Sequence, residues 1–144
     1  MSVPNGLKKL PPDSRDYALG SIQALPALSE LPLSFILDSK ADKAKIEDFC
    51  SATACTLMLE YTEEKELDEL WYFAKSKELS GDVEEFGQDL RNACKTAQKF
   101  GAIPKDLAPF TKDKGSDFLR RIENYPKELE WKAGEHKQKS YFKV

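Results

Sequence analysis

Cys50 is the residue best placed to do chemistry. It lies in Glu47-Asp48-Phe49-Cys50-Ser51-Ala52, where a helical pattern begins. The positive end of a helix dipole stabilises a thiolate, and the thiolate is the nucleophilic form of cysteine. Two observations weigh against catalysis. A free cysteine also serves as a small apolar packing residue. Negative charge beside a thiol disfavours the thiolate, and Glu47 and Asp48 supply it. The other two cysteines, Cys55 and Cys94, fall in apolar stripes and read as core. The only histidine, His136, sits in the polar run Glu135-His136-Lys137 and reads as a surface residue. A Ser-His-Asp or Cys-His arrangement must use His136 or none. With one histidine and no Cys-x-x-Cys pair, a zinc site is not expected. The acids Glu63, Glu64, Glu66, Asp68 and Glu69 lack the alternating spacing and central glycine of a calcium loop, and read as a solvated turn and helix start. Neither metal nor cofactor is expected.

The elements that must position these residues follow from proline and apolar spacing. Five of the eight prolines lie in residues 1–48, and none in 33–103. Proline blocks helix interiors and biases its predecessor toward extended backbone. Residues 1–47 therefore read as an extended arm, with a strand-like segment at 33–37. Residues 48–144 read as a helical unit. Its first helix is expected over 48–61, with Asp48 as N-cap and Ala54, Leu57, Met58 and Tyr61 at helical spacing. A second is expected over 65–79, carrying Leu67, Leu70, Trp71 and Ala74. A third, over 87–100, carries Leu90, Ala93, Cys94, Ala97 and Phe100, and Gly101 suits its C-terminal cap. Two weaker helices are expected near 115–124 and 127–138. Pro126 favours the start of the latter, while Gly134 weakens it. Residues 140–144 read as a short strand. The fold class is α+β, mainly α.

Composition narrows the function classes. The chain has 144 residues, 22 basic and 25 acidic, with 40% hydrophobic content. That is one domain's worth of polypeptide with enough apolar material for a core. No apolar run reaches the ~18 residues of a membrane helix. The N-terminal residues lack the apolar stretch of a signal peptide, so export is not expected. An odd cysteine count without such a signal points to a reducing compartment and free thiols. Residues 49–101 hold six bases and eleven acids, whereas 102–144 hold ten bases and seven acids. The bases are interleaved with acids, unlike the concentrated face of a nucleic-acid binder. The opposite charge of the two segments would suit head-to-tail assembly.

The pattern from Leu31 to Phe110 resembles the N-terminal half of papain-like (C1 family) cysteine peptidases, in their bacterial and phage versions. It reads Leu-Pro, a strand ending at Asp38, a basic loop, and then Phe49-Cys50-Ser51-Ala52-Thr53-Ala54 opening a long helix. Gly87-Gln88-Asp89-Leu90-Arg91 later starts a helix that closes at Phe100-Gly101, and the loop to Pro109-Phe110 follows. Asp-Ser-Arg-Asp-Tyr-Ala-Leu-Gly, from Asp13 to Gly20, is similar to the lead-in of phage members.

The resemblance implies that Cys50 occupies the nucleophile position. The family's oxyanion-hole Gln lies six residues earlier, where this chain has Ala44. Its small residue before the cysteine is Phe49 here, and its aromatic after the cysteine is Ser51. Its catalytic His and Asn belong to a second, β-rich half beyond the span of this sequence, and His136 does not match that His. Losing one oxyanion donor costs ~10²–10³ in turnover. Without the base, thiolate formation by proton transfer is lost too.

The expectation is therefore a non-enzymatic structural or binding protein on a degenerate papain-like scaffold, with Cys50 a vestigial nucleophile. The phage resemblance implies a virion-associated role, beginning in the host cytoplasm during assembly. The expected partners are proteins, either virion subunits or further copies of this chain, with no nucleic acid and no membrane. The alternative is a cysteine peptidase or acyl-transfer domain whose His and Asn come from another chain.

Overall fold

The computed structural model of the chain describes residues 7–8, 10–14, 24, 27, 29 and 48–137. The expected strands at 33–37 and 140–144, and Ala44, lie outside the described residues. Five helices are described: α1 (Cys50–Glu63), α2 (Glu69–Ser80), α3 (Leu90–Lys99), α4 (Ser116–Leu119) and α5 (Leu129–Ala133). Two short parallel strands, β1 (Leu7–Lys8) and β2 (Gln88–Asp89), pair Leu7 with Gln88 and Lys8 with Asp89.

Side-chain caps set two of the helix starts. Asp68 Oδ2 accepts from Trp71 N at 3.0 Å, and Asp89 Oδ1 accepts from Asn92 N at 2.7 Å. Each satisfies one of the donors that a helix N-terminus leaves open. α1 starts differently. Its N-cap is Phe49, with no side-chain cap, and Asp48 points elsewhere. α2 ends on Gly81 in the left-handed conformation, where glycine carries no Cβ penalty. Past α3, Gly101 holds φ +82°, and a Cβ built on it would lie 2.1 Å from Ala133 O. The last residue of α5, Ala133, and the backbone of His136 just after it therefore pack directly on Gly101.

α1, α2 and α3 pack together on a core that includes Phe49, Ala52, Cys55, Leu59, Leu70, Phe73, Ala93 and Ala97. Small residues on α1 and α3 let the helices approach closely. Phe49 stacks on Phe73, with ring centroids 3.8 Å apart. A second cluster of Trp71, Ala74, Ile103, Tyr125, Leu129 and Ala133 joins α2 to the C-terminal segment.

The α1 stripe differs from expectation. Its buried face is Ser51, Ala52, Cys55, Thr56 and Leu59, while Ala54, Met58 and Tyr61 are exposed. Residues 50–59 contain no charge, so both faces are eligible for burial and spacing alone cannot choose. Buried Phe49 and its stack on Phe73 set the rotation. α2 is buried on nearly every side from Glu69 to Lys77. Its expected polar face is internal, and its charges are paired there. The last two expected helices are shorter: α4 gives way to a 3-10 turn at Ile122–Asn124, and α5 ends at Gly134.

Candidate functional site

Cys50 is the first residue of α1 and is exposed, between two buried neighbours. Phe49 before it is fully buried against Phe73. Ser51 after it is buried, and its Oγ donates to Gln88 Oε1 at 3.4 Å. Gln88 is fully buried on β2, and its Nε2 has no hydrogen-bond partner among the described residues. The thiol position is thus fixed by α1, by the β2 entry to α3, and by the aromatic stack.

Asp48 also has a different role from the expected cap. Its carboxylate is buried, 3.1 Å from Arg120 Nη2, and accepts from Ser116 Oγ at 3.1 Å. Arg120 Nη2 also donates to Ser116 Oγ at 2.7 Å. The negative charge two residues before Cys50 is therefore compensated by a cation. No local pattern signals this pairing, because Arg120 lies 72 positions from Asp48.

The loop into β2 is built on a buried lysine. Lys77 Nζ donates to the carbonyls of Asp82 at 3.3 Å, Glu85 at 2.7 Å and Gly87. A fully buried ammonium is tolerable only when such acceptors replace its water. Lys77 thereby fixes the backbone that delivers Gln88 to Ser51.

His136 is not at this site. Its Nδ1 lies 2.9 Å from Glu63 Oε2, at the last residue of the 14-residue α1. At 1.5 Å rise per residue, that places it about 20 Å along the helix from Cys50. Its side chain is only 13% exposed, so it is wedged rather than on the open surface.

The remaining titratable groups are structural. Cys55 is buried on α1 and hydrogen-bonds Cys94 of α3; that bond, with burial, pushes the Cys55 thiol far up. Burial raises Tyr72 well above its usual value, and its hydroxyl donates to Ala93 O. Asp68 and Glu69 are buried beside Lys105, with Nζ at 3.5 Å and 3.2 Å. Burial pushes Asp68 up. For Lys105 burial acts downward, but Glu69 and then Asp68 outweigh it and raise the ammonium. The acids expected in a solvated turn thus divide at Leu67: Glu63, Glu64 and Glu66 are exposed, while Asp68 and Glu69 are internal. Among the described residues, no cluster of three or more His, Cys, Asp or Glu could hold a metal. Nor is any described helix long and apolar enough to cross a membrane.

No family model and no curated protein matches the chain. Among solved structures, it is similar to xylellain, a cysteine protease from Xylella fastidiosa, with a TM-score of 0.69 and 17% identity. The fold is papain-like. The match covers 98% of this chain and 59% of xylellain's, so the chain spans well under two thirds of that protein. The papain-like half-domain is mainly helical, as its residues imply, with Cys50 opening its first long helix.

Proposed function

We propose that this chain is a non-enzymatic structural or binding protein on a papain-like half-domain. The observation that carries the reading is the position of the single imidazole. His136 is held by Glu63 at the far end of α1, so the one imidazole of this sequence is kept away from Cys50. Ala44 at the oxyanion-donor position and Phe49 before the cysteine support it as well. The similarity of residues 13–20 to phage members gives the setting: assembly in the host cytoplasm, then a place in the virion among protein subunits. Mass spectrometry of purified particles tests that setting, and a chain absent from them removes it.

The alternative is a cysteine peptidase or acyl-transfer domain completed by His and Asn from another chain. It is favoured by one feature, an exposed Cys50 at a helix N-terminus whose nearby carboxylate is compensated by Arg120. Labelling with a thiol-directed electrophile separates the readings. The non-enzymatic reading expects Cys50 to react at the rate of an ordinary exposed thiol, alone and with candidate partners. A partner-dependent acceleration, abolished by Cys50→Ala, establishes the alternative instead.

A further inference from the structure

Trp131 stands on the short α5 with 85% of its surface exposed, the highest value among the exposed large hydrophobics of the described residues. It borders an open groove of about 770 Å³ lined also by Phe100, Lys99, Lys127, Glu130 and Lys137. Glu130 is held by Lys75 at 3.1 Å. The three groove lysines, in no ion pair among the described residues, give it a net positive face around an exposed indole. Such an aromatic surrounded by polar groups is the usual make-up of a binding hot spot.

The complementary surface lies on the same chain. Residues 61–66, Tyr-Thr-Glu-Glu-Lys-Glu, are all exposed, with Tyr61 at 60%. They present an aromatic followed by the carboxylates of Glu64 and Glu66; Glu63, between these and Tyr61 in sequence, is held by His136. The Glu63–His136 contact places this acidic turn at the groove's edge, beside Lys137. It does not cover Trp131. Two adjacent patches of opposite sign that do not cover each other within one molecule are satisfied together by a two-fold rotation. A polyanion backbone suits the groove less well, because Glu128 and Glu135 flank it in sequence.

We propose that the Trp131 groove receives the acidic 61–66 turn of a second copy, in a reciprocal two-fold contact. This is independent of the reading of Cys50. Sedimentation equilibrium of the full chain, from micromolar to millimolar, tests it at low and high salt. The expected result is a reversible dimer weakened by salt, with a blue shift of Trp131 emission that Trp131→Phe removes. Lys127→Glu with Lys137→Glu, and separately Glu64→Lys with Glu66→Lys, should each raise the dimer Kd about tenfold or more. These exposed positions should leave the circular dichroism of the fold unchanged. Mixing the two variants should restore dimers, since each groove then meets a turn of opposite charge. A chain that stays monomeric throughout, or a dimer indifferent to both reversals, overturns the proposal. A groove that binds a poly-glutamate peptide while the chain stays monomeric assigns it to a foreign acidic segment and equally overturns the second copy.

Discussion

At the scale of single residues, the site is defined by what surrounds Cys50. Arg120 and Asp48 form a buried ion pair completed by Ser116. Removing one member of such a pair leaves an uncompensated buried charge, so Arg120→Ala should destabilise by about 3 kcal/mol. Urea unfolding measures this. Replacing both Arg120 and Asp48 with leucine should recover much of the loss, because no charge is then stranded. A double variant as unstable as Arg120→Ala would show that the ion pair is not the cause. Cys50→Ala should change stability by less than about 0.5 kcal/mol, since the residue is exposed and packs no core. Thermal unfolding of the two variants side by side checks that the rigid neighbours, not the thiol, carry the local stability.

At the scale of elements, Lys77 ties the end of α2 to the loop before β2. Lys77→Met would keep the stem's packing but leave the carbonyls of Asp82, Glu85 and Gly87 without that donor. A cost of about 3 kcal/mol is expected, with the extra amide hydrogen exchange concentrated in residues 82–89. Uniform exchange across the chain would refute the local role. Elements also show how far the sequence could be read. The interior and end of α3 were legible because Ala93 and Ala97 share one face and Gly101 closes it. Its start was not: Gln88 and Asp89 form β2, and Leu90 is exposed rather than in the stripe. The rotation of α1 was not, because its uncharged sequence fits burial on either face and distant Phe73 decides. Cys50 at a helix start was legible from local spacing. Arg120 and Gln88 were not, since their partners lie 72 and 37 positions away, and Lys77 was not, since its acceptors are loop carbonyls that carry no residue-type signal. An arginine in a mixed-charge tail looks the same whether it is solvated or buried on Asp48.

At the scale of the whole molecule, the helical layer is tied to the segment after Gly101 by charge as well as packing. Lys105 reaches back to Glu69 and Asp68 at the start of α2, beside the paired backbones of Leu67 and Pro104. This gives stability an alkaline limit with a definite sign. The Lys105 ammonium is raised above its usual 10.5 in the fold, so the folded chain holds that proton more tightly than the unfolded one. The contribution is complete below pH 10.5 and disappears as pH rises through the folded value. Lys75, raised by Glu78 and Glu130 against the pull of burial, adds in the same direction. Solvent softens the first effect because the Lys105 side chain is 36% exposed, and the second because Glu78 and Glu130, not Lys75, are exposed. Glu69 is not exposed at all, so deleting its partner is costly. Lys105→Met should destabilise by about 3 kcal/mol at neutral pH. The loss should shrink in acid, where Asp68, already raised by burial, takes up a proton and no longer needs the cation. The variant should also lose stability less steeply above pH 10.5 than the parent, having no Lys105 left to titrate. Urea midpoints measured across the pH range test both arms. A loss that is the same at acid and neutral pH would locate the cost in lost packing rather than in stranded carboxylates.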